Sequence, residues 1–563
     1  MSGHELARFI EFAAHMEEET EDSLEVRSNT REMRIMLQLM RSHLRGQLET
    51  PSSLIAASGL PRGTAHRLIM DMMERGQIIK RPRTRSGKTF SLHPSEKLVG
   101  SWIEYARRVK ATLGSLFGLA DGSDYFFGAS YMSASIIPPL PIMKEPLPLK
   151  GDLRILMHSD PTFLAMHTLK RQFEMHFGVD VDGRALTIDR LHREILDNAE
   201  RPVSRYDIVT CDLCWMTEMA EKGAVGPLDA LLEQEPLDII DFHPEAVAAS
   251  GYRDMLYGIP VQTTPELLIY RTDVLASNGV SPPQTLEELL GAARRLHRPI
   301  EEMSGLAWNG AQGTPVGTTF TMIMADFGQP VLNLPRRGAG FSSGDLSGDG
   351  YRPMLDCEEA MQAAEFLLDC LDYSPPNVLQ MSWYERAKCY ADGHAAMAYC
   401  YTQIMPLFEH RSDSPANGKT GYLPHPPAKS RLPIAPLGGW SLCMPSNLAP
   451  DRQRATIRAI RTLTSAAATK LYMENGSVVS SRFSVCNDPH VADLGAMIPI
   501  VDKMARDGVL QMWPRPAVAE LPDVVAILGD EIHTMLQRNK RPRTALADAQ
   551  NRCDRLMRAH GRY

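Results

Sequence analysis

The apolar positions at the amino terminus recur at helical spacing. Leu6, Phe9, Ile10, Ala13 and Met16 fall three and four residues apart, which predicts one apolar stripe on a short helix over 5–16. Glu17 to Glu25 then predict a solvated acidic break. From Thr30 the pattern predicts a helix over 32–48, a break at Glu49-Thr50-Pro51, a helix over 52–57, a turn at Ser58-Gly59-Leu60 and a helix over 61–75. Gly59 suits the positive φ of a tight turn, and Pro61 suits a first helical position. After Gly76, Gln77 to Lys80 have strand character, Arg81 to Lys88 predict a basic hairpin tip, and Thr89 to Leu92 predict the returning strand. Leu98, Trp102, Tyr105, Val109 and Leu113 predict another helix over 97–116. Residues 119–150, rich in Gly and Ser and then in Pro (Pro138, Pro139, Pro141, Pro146, Pro148), predict an extended connector.

Beyond residue 150 the pattern changes. Short apolar runs (Leu153 to Met157, Asp207 to Thr210, Leu267 to Tyr270) alternate with longer helical stretches (Thr162 to His176, Thr285 to His297, Cys357 to Asp372, Arg452 to Glu474), which predicts an α/β class. At 563 residues the chain is too long for one core. Four segments follow: an acidic arm over 1–26, a small helical and hairpin domain over 27–95, a linker helix and connector over 96–150, and a large module over 151–563.

Charge alters this picture more than composition does. The net charge of −8 conceals a segregation: residues 1–26 carry one basic side chain against eight acidic, residues 27–90 carry thirteen against four, and the remainder is acidic. Phosphate attraction depends on the local field, so the acidic total does not exclude nucleic acid. No run of eighteen apolar residues is present, which predicts no membrane span. The first residues show no basic region followed by an apolar core and a cleavage site, and nine cysteines lack framework spacing; both predict a cytoplasmic location.

The stretch SGLPRGTAHRLIMDMMERGQIIKRP resembles the recognition helix and wing entry of IclR-type regulators and, more loosely, MarR-type winged helices. The resemblance covers about 65 residues and implies a winged helix-turn-helix. In such families the exposed helix face enters the major groove and the wing touches phosphate. Carried over, Arg62, Thr64, His66 and Arg67 are the candidate groove contacts, and Arg81, Arg83, Arg85 and Lys88 the candidate phosphate contacts.

Three later stretches, YDIVTCDLCWMTEMAEKGAVGPLDALL, YGIPVQTTPELLIYRTDVLASNGVSPPQTLEELLGAARRL and LGGWSLCMPSNLAPDRQRATIRAIRTLTSAAATKLYMENGSVVSSRFSVCNDP, resemble the family 1 extracellular solute-binding proteins of carbohydrate ABC transporters. The resemblance implies a two-lobed, type II periplasmic-binding-protein-like α/β module, hinged by crossing strands, with a ligand in the cleft. Aromatic faces stack on the C–H faces of a sugar, and carboxylates, amides and guanidinium groups pair its hydroxyls. Mapped by position, the ligand candidates are Ser159, Asp160, Asp212, Trp215, Gln262, Thr263, Glu266, Gly439, Trp440, Ser481 and Arg482. Trp308, Trp383 and Glu385 join them with looser placement.

Other chemistry finds little footing. Cys211-Asp212-Leu213-Cys214 has a C-x₂-C spacing, but no second pair follows, so no metal is expected. Gly338 to Gly344 lacks the Lys-Ser/Thr ending of a phosphate loop. No paired carboxylates or nucleophile motif marks an enzyme, and no cofactor is expected. The combined expectation is a cytoplasmic, sugar-responsive transcription regulator that binds double-stranded operator DNA as a homodimer. Two alternatives stand beside it: a solute-binding protein of a carbohydrate transporter carrying an amino-terminal adaptor, and a sugar-binding scaffold whose winged helix contacts protein.

Overall fold

A computed structural model describes residues 3–24, 30–44, 48–82, 90–117, 119–121, 124–127, 130–132, 146–338, 340–342 and 346–563. The chain divides into two compact units: residues 1–152 with 165–181, and residues 153–164 with 182–563.

The first unit runs helix Gly3–Leu24, helix Arg31–Leu44, helix Pro51–Ser58, helix Arg62–Glu74, an antiparallel strand pair Ile78–Pro82 and Phe90–Pro94, and helix Glu96–Phe117. Thr50 caps the third of these through a reciprocal bond with Ser53, and Gly59 ends it in the left-handed region at φ 66°. Ile35, Met36, Leu39, Leu54, Ile69, Met72, Ile78 and Leu92 form its core. The acidic stretch from Glu17 does not break the first helix, which continues to Leu24. Thr20 and Leu24 lie on its buried side, with the Thr20 hydroxyl 3.2 Å from the Tyr105 hydroxyl, while Glu17, Glu18, Glu21 and Asp22 face solvent. A helix tolerates four exposed carboxylates when its other face is packed.

The expected extended connector is also corrected in part. Leu119–Asp121, Asp124–Phe127 and Ser130–Met132 form a three-stranded antiparallel sheet, because Tyr125, Phe126, Phe127 and Tyr131 supply β-favouring side chains that the Gly and Ser content obscures. Pro138, Pro139 and Pro141 lie outside the described residues.

The second unit is α/β and holds two main sheets. The first has the strand order Gly258–Thr263, Gly439–Cys443, Ile208–Asp212, Leu153–His158, Val181–Leu186; the second has Ser304–Ala307, Ala395–Tyr401, Glu266–Arg271, Thr420–Leu423. Leu153–His158 and Ile208–Asp212 run parallel, and Gly439–Cys443 is inserted antiparallel between Ile208–Asp212 and Gly258–Thr263. Every residue of the strands 208–212, 258–263 and 439–443 is buried, as in sheets covered on both faces, and the polar members Thr210, Asp212, Gln262, Thr263 and Ser441 are buried with the rest.

Asp207 fastens the start of this sheet. Its buried carboxylate takes Arg154 Nη2 at 2.7 Å and Arg452 Nε at 2.6 Å, tying two strands to helix Pro450–Leu463. Burial works against its charge, and the two guanidinium groups prevail and lower its pKa. Two long helices expected from periodicity are each divided. Thr162 to His176 becomes Pro161–Thr168 and Lys170–Phe177, and Arg452 to Glu474 becomes Pro450–Leu463 and Ala466–Glu474. At the second break the Thr464 hydroxyl bonds back to Ile460 O, and Ser465 caps the new helix through Ala468 N.

Two buried histidines set the acid response of the first unit. Burial, with Arg81 adding, lowers His43 from 6.5 to about 4, and burial with Arg81 and His43 lowers His93 to about 3. Folding therefore favours the neutral rings: their contribution to stability is full above pH 6.5 and is lost as pH falls toward 4 and then 3. Peptide-resolved hydrogen exchange, corrected for its intrinsic pH dependence, is expected to show protection of Arg31–Leu44 falling between pH 6.5 and 4. His93→Gln, which retains a partner for the Ser91 hydroxyl, should flatten that fall; a pH-independent wild type would refute the assignment.

Candidate functional site

The antiparallel insertion places chemistry along one edge of the first sheet. Trp440 pairs across the strands with Gln262 on one side and with Asp212 on the other, and Thr263 pairs with Gly439. His158 ends the neighbouring strand. The carboxyl ends of Leu153–His158, Ile208–Asp212 and Gly258–Thr263 thus lie together, which is where open α/β sheets receive ligands. Gly439 is required at its position: φ is 147°, and a Cβ would stand 2.4 Å from Gln262 O.

Trp440 is the centre of an aromatic group. His158 stacks on it at 4.5 Å between centroids and 16° between planes, Trp215 meets it edge-on at 5.5 Å, and Phe163 at 6.2 Å. A polar chain borders these rings. Gln262 Nε2 donates to Asp160 Oδ2 at 2.6 Å, the Thr162 hydroxyl reaches Gln262 Oε1 at 3.3 Å and Ser477 Oγ at 2.8 Å, and His158 Nδ1 lies 3.6 Å from Asp160 Oδ2. Asp212 Oδ1 accepts Cys214 N at 2.9 Å and faces Arg515 Nη2 at 3.7 Å.

Arg515 links this edge to the second sheet. Its Nη1 donates to the Tyr401 hydroxyl at 3.2 Å, and Tyr401 ends the strand Ala395–Tyr401. Burial opposes the Arg515 charge; Cys214, Tyr401, Asp212 and Glu266 outweigh it and raise its pKa. Between the sheets the chain passes directly from Thr263 through Thr264 and Pro265 to Glu266. A second passage runs beside it, because Thr264 N donates to Gly438 O at 2.8 Å and Gly438 N to Thr264 O at 3.2 Å.

The other candidates are placed elsewhere. Glu266 is spent on a buried ion pair with Arg386, with His425 Nε2 at 3.7 Å from its second oxygen. His425 Nδ1 in turn meets Asp326 at 3.1 Å, and burial, opposed by His425 and reinforced by Glu266, pushes Asp326 up to about 6. Trp308 is packed in the core with its Nε1 donating to Ser374 Oγ at 2.7 Å. Trp383 starts a helix that Ser382 and Glu385 close as a capping box. Arg482 clamps Asp241 at 2.7 Å and Thr464 O at 2.7 Å, and Ser481 Oγ donates to Pro260 O. Ser159 is exposed, with its N–H on Leu186 O. Sequence reasoning missed His158, Tyr401 and Arg515. His158 adjoins the loop that was singled out; Tyr401 and Arg515 carry no local signal.

In the first unit Arg62, His66 and Arg67 are exposed on helix Arg62–Glu74, and Thr64 and Arg81 are half-buried. Arg83, Arg85 and Lys88 lie outside the described residues. Among the described residues, no helix is long and apolar enough to cross a membrane.

Comparison with known proteins bears on both units. The family of bacterial extracellular solute-binding proteins matches residues 172–499. A probable amino-acid ABC transporter periplasmic-binding protein of Sinorhizobium fredii is 22% identical over 422 residues, covering 73% of this chain and 90% of that protein. Among solved structures, an ABC transporter solute-binding protein from Agrobacterium radiobacter in complex with ribitol aligns with a TM-score of 0.66 at 24% identity, covering 73% of this chain and 100% of that one. One from Thermotoga lettingae bound with α-D-tagatose gives 0.62 at 21%, covering 72% and 100%. The two-lobed type II fold of the large module follows from these alignments.

The expectation of a cytoplasmic, DNA-binding transcription regulator is corrected by the same findings. The matching family is extracellular and the relative is a periplasmic transporter component, and operator DNA and a homodimer gain no support from them. The basic block that suggested phosphate contact is partly self-neutralised: Arg75 pairs with Glu32 and, at 2.8 Å, with Asp71. A charge excess counted along a sequence does not distinguish such internal pairs from a free cationic face.

Removing the Arg515 guanidinium leaves the Asp212 carboxylate facing no cation and the Tyr401 hydroxyl without this donor. Arg515→Ala is expected to cost on the order of 3 kcal/mol in urea unfolding, and Arg515→Lys less. Equal midpoints for all three proteins would remove Arg515 from the link.

Proposed function

Because this chain belongs to the bacterial extracellular solute-binding proteins, we propose that its large module captures a sugar or polyol for an ABC transporter, on the extracytoplasmic side of the membrane. It acts by binding, not by catalysis. The observation that carries this reading is the sheet edge at which Trp440, Trp215 and His158 adjoin Asp212, Asp160, Gln262 and Arg515. Polyhydroxylated ligands need apolar ring faces for their C–H surfaces together with acceptors and donors for their hydroxyls. Thr263 Oγ1 and His158 Nδ1 are buried at this edge without a hydrogen-bond partner, and a ligand hydroxyl satisfies such atoms. Ribitol and tagatose, bound by the two structural relatives, are solutes of this kind.

The passages at Thr264 and Gly438 would serve as the hinge, and Arg515 would hold the two sheet edges in register when the module closes. The first unit, with three short helices followed by a strand pair in winged-helix order, is then an adaptor joined to a binding module.

A thermal-shift and calorimetric panel of sugars, polyols and amino acids tests the reading. A true ligand at a hundred times its Kd stabilises the fold by about 2.7 kcal/mol, a shift of a few degrees. Trp440→Ala should abolish the shift while leaving a cooperative transition. Shifts produced by amino acids and not by sugars or polyols would overturn the ligand class.

A further inference from the structure

His243, Cys486 and Asp502 converge away from the sheet edge. His243 caps helix Pro244–Ala249, Cys486 ends helix Phe483–Cys486, and Asp502 lies on helix Met497–Arg506. One ligand atom from each (a ring nitrogen, the Sγ and a carboxylate oxygen) lies within 4.8 Å of the other two, and all three residues are buried. The backbone sets this convergence: His243 N donates to Ser481 O at 2.8 Å and Phe483 N to Asp241 O at 2.8 Å, so the two segments lie side by side.

The hydrogen bonding of the group is incomplete. His243 is fully buried, yet neither ring nitrogen has a hydrogen-bond partner, and Asp502 Oδ1 has none. His243 Nε2 and Asp502 Oδ1 stand 3.8 Å apart, too far for a hydrogen bond. Leaving buried polar atoms unpaired costs about 1–3 kcal/mol each, so a native structure that does so calls for an explanation such as an ion. The spacing suits one. Zinc bonds of about 2.0–2.3 Å in a tetrahedron set neighbouring ligand atoms roughly 3.3–3.8 Å apart. His243 Nε2 and Asp502 Oδ1 already stand at 3.8 Å, and the remaining pairs, within 4.8 Å, close by up to about 1 Å or slightly more on binding.

We propose that His243, Cys486 and Asp502 form a binding site for a thiophilic divalent cation of the zinc class. One imidazole nitrogen, one thiolate and one carboxylate are a donor set suited to zinc, and water takes the fourth position. Cys486 gives up its thiol proton to solvent on binding. Thiolate and carboxylate then balance the double positive charge of the ion itself, and the further positive charge of Arg506, on the outer carboxylate oxygen, is half exposed to solvent. Asp502 Oδ2 accepts Arg506 Nε at 2.9 Å, which turns Oδ1 toward the histidine and plays the orienting part that outer partners of metal ligands play. Phe483, with its ring centroid 4.8 Å from that of His243, walls one side with apolar surface. The bound ion would staple three segments far apart in the chain.

The full chain, stripped with chelator and titrated with Co²⁺, should take up one equivalent with a thiolate-to-cobalt charge-transfer band and tetrahedral d–d intensity, and Zn²⁺ should displace it. Cys486→Ser should lose the charge-transfer band and Cys214→Ser should keep it; the reverse pattern, or no stoichiometric uptake, overturns the site. If Cys486→Ser does not fold, X-ray absorption at the zinc edge of the unsubstituted chain decides. One sulfur at about 2.3 Å with lighter scatterers near 2.0–2.1 Å supports the site, whereas no sulfur or two sulfurs overturn it.

Discussion

The antiparallel insertion of Gly439–Cys443 between Ile208–Asp212 and Gly258–Thr263 is the constraint on which the rest of the second unit depends. The pairing of Gly258–Thr263 with Gly439–Cys443 carries one irregularity between Pro260 and Gln262, and beyond it the register is fixed by the pairs Gln262–Trp440 and Thr263–Gly439, since a slip of one residue turns each side chain to the other face. The register sets Trp440 between Gln262 and Asp212, and so determines which polar groups border the aromatic face. It also fixes where the chain leaves the sheet. Gly438 and Thr264 exchange backbone hydrogen bonds at the point where both passages cross toward the second sheet, and a Cβ on Gly438 would come within 2.9 Å of Thr264 O. The site and the crossing are consequences of one pairing.

Electrostatics divides the labour between the two sheets. At the carboxyl edge of the first sheet the charges are only partly neutralised: Arg515 and Asp212 stand 3.7 Å apart, beyond hydrogen-bonding distance. At the start of the second sheet the charges are held in closer buried pairs, Glu266 on Arg386 and His425 on Asp326 at 3.1 Å, although Arg386 Nε and Nη1 and His425 Nε2 keep no hydrogen-bond partner. Breaking a buried, closely paired charge is costly, so the second set acts as fixed structure, while the 3.7 Å separation of Arg515 and Asp212 leaves their facing atoms less committed to one another. Tyr401 joins the two, pairing in its strand with Glu266 and receiving the Arg515 hydrogen bond. The raised pKa of Arg515 follows from its position amid Cys214, Tyr401, Asp212 and Glu266, and it keeps the positive charge in place at any pH at which the fold survives.

Local chemistry was legible in the sequence, and long-range convergence was not. The strands around Asp212, Ile269 and Leu156 were readable as short apolar runs, and Thr285 to His297 as a helical stretch, which the structure starts at a Thr285 cap. Asp212, Trp215, Gln262, Thr263 and Trp440 were singled out because their motifs resemble a family's, and they lie along one edge. Glu266 came from the same stretch, but its partner is Arg386, 120 residues away, and nothing near Glu266 announces that pairing. Arg515 and Tyr401 were missed for the same reason. The role of the first unit was read from a motif resemblance together with a count of basic residues; the solute-binding relatives overturn that reading, and the count had overlooked that a side chain such as Arg75 has acidic partners in space.

Spacing in sequence also misdirects the search for metal ligands. Cys211 and Cys214 stand three residues apart, yet a strand ends between them: Cys211 pairs across the strands with Ser441 and contacts Cys443, while Cys214 lies within the short helix Leu213–Trp215 beside Asp212 and Arg515. A cation there would meet the Arg515 guanidinium directly, and like charges repel in a buried setting. His243, Cys486 and Asp502 span 260 residues and show no motif, but the pairing of 241–243 with 481–483 brings them together, and Arg506 occupies only the carboxylate oxygen turned away from the histidine. What makes a ligand set is the direction in which lone pairs point after folding, and that direction is set by the backbone pairing that carries each residue to the site.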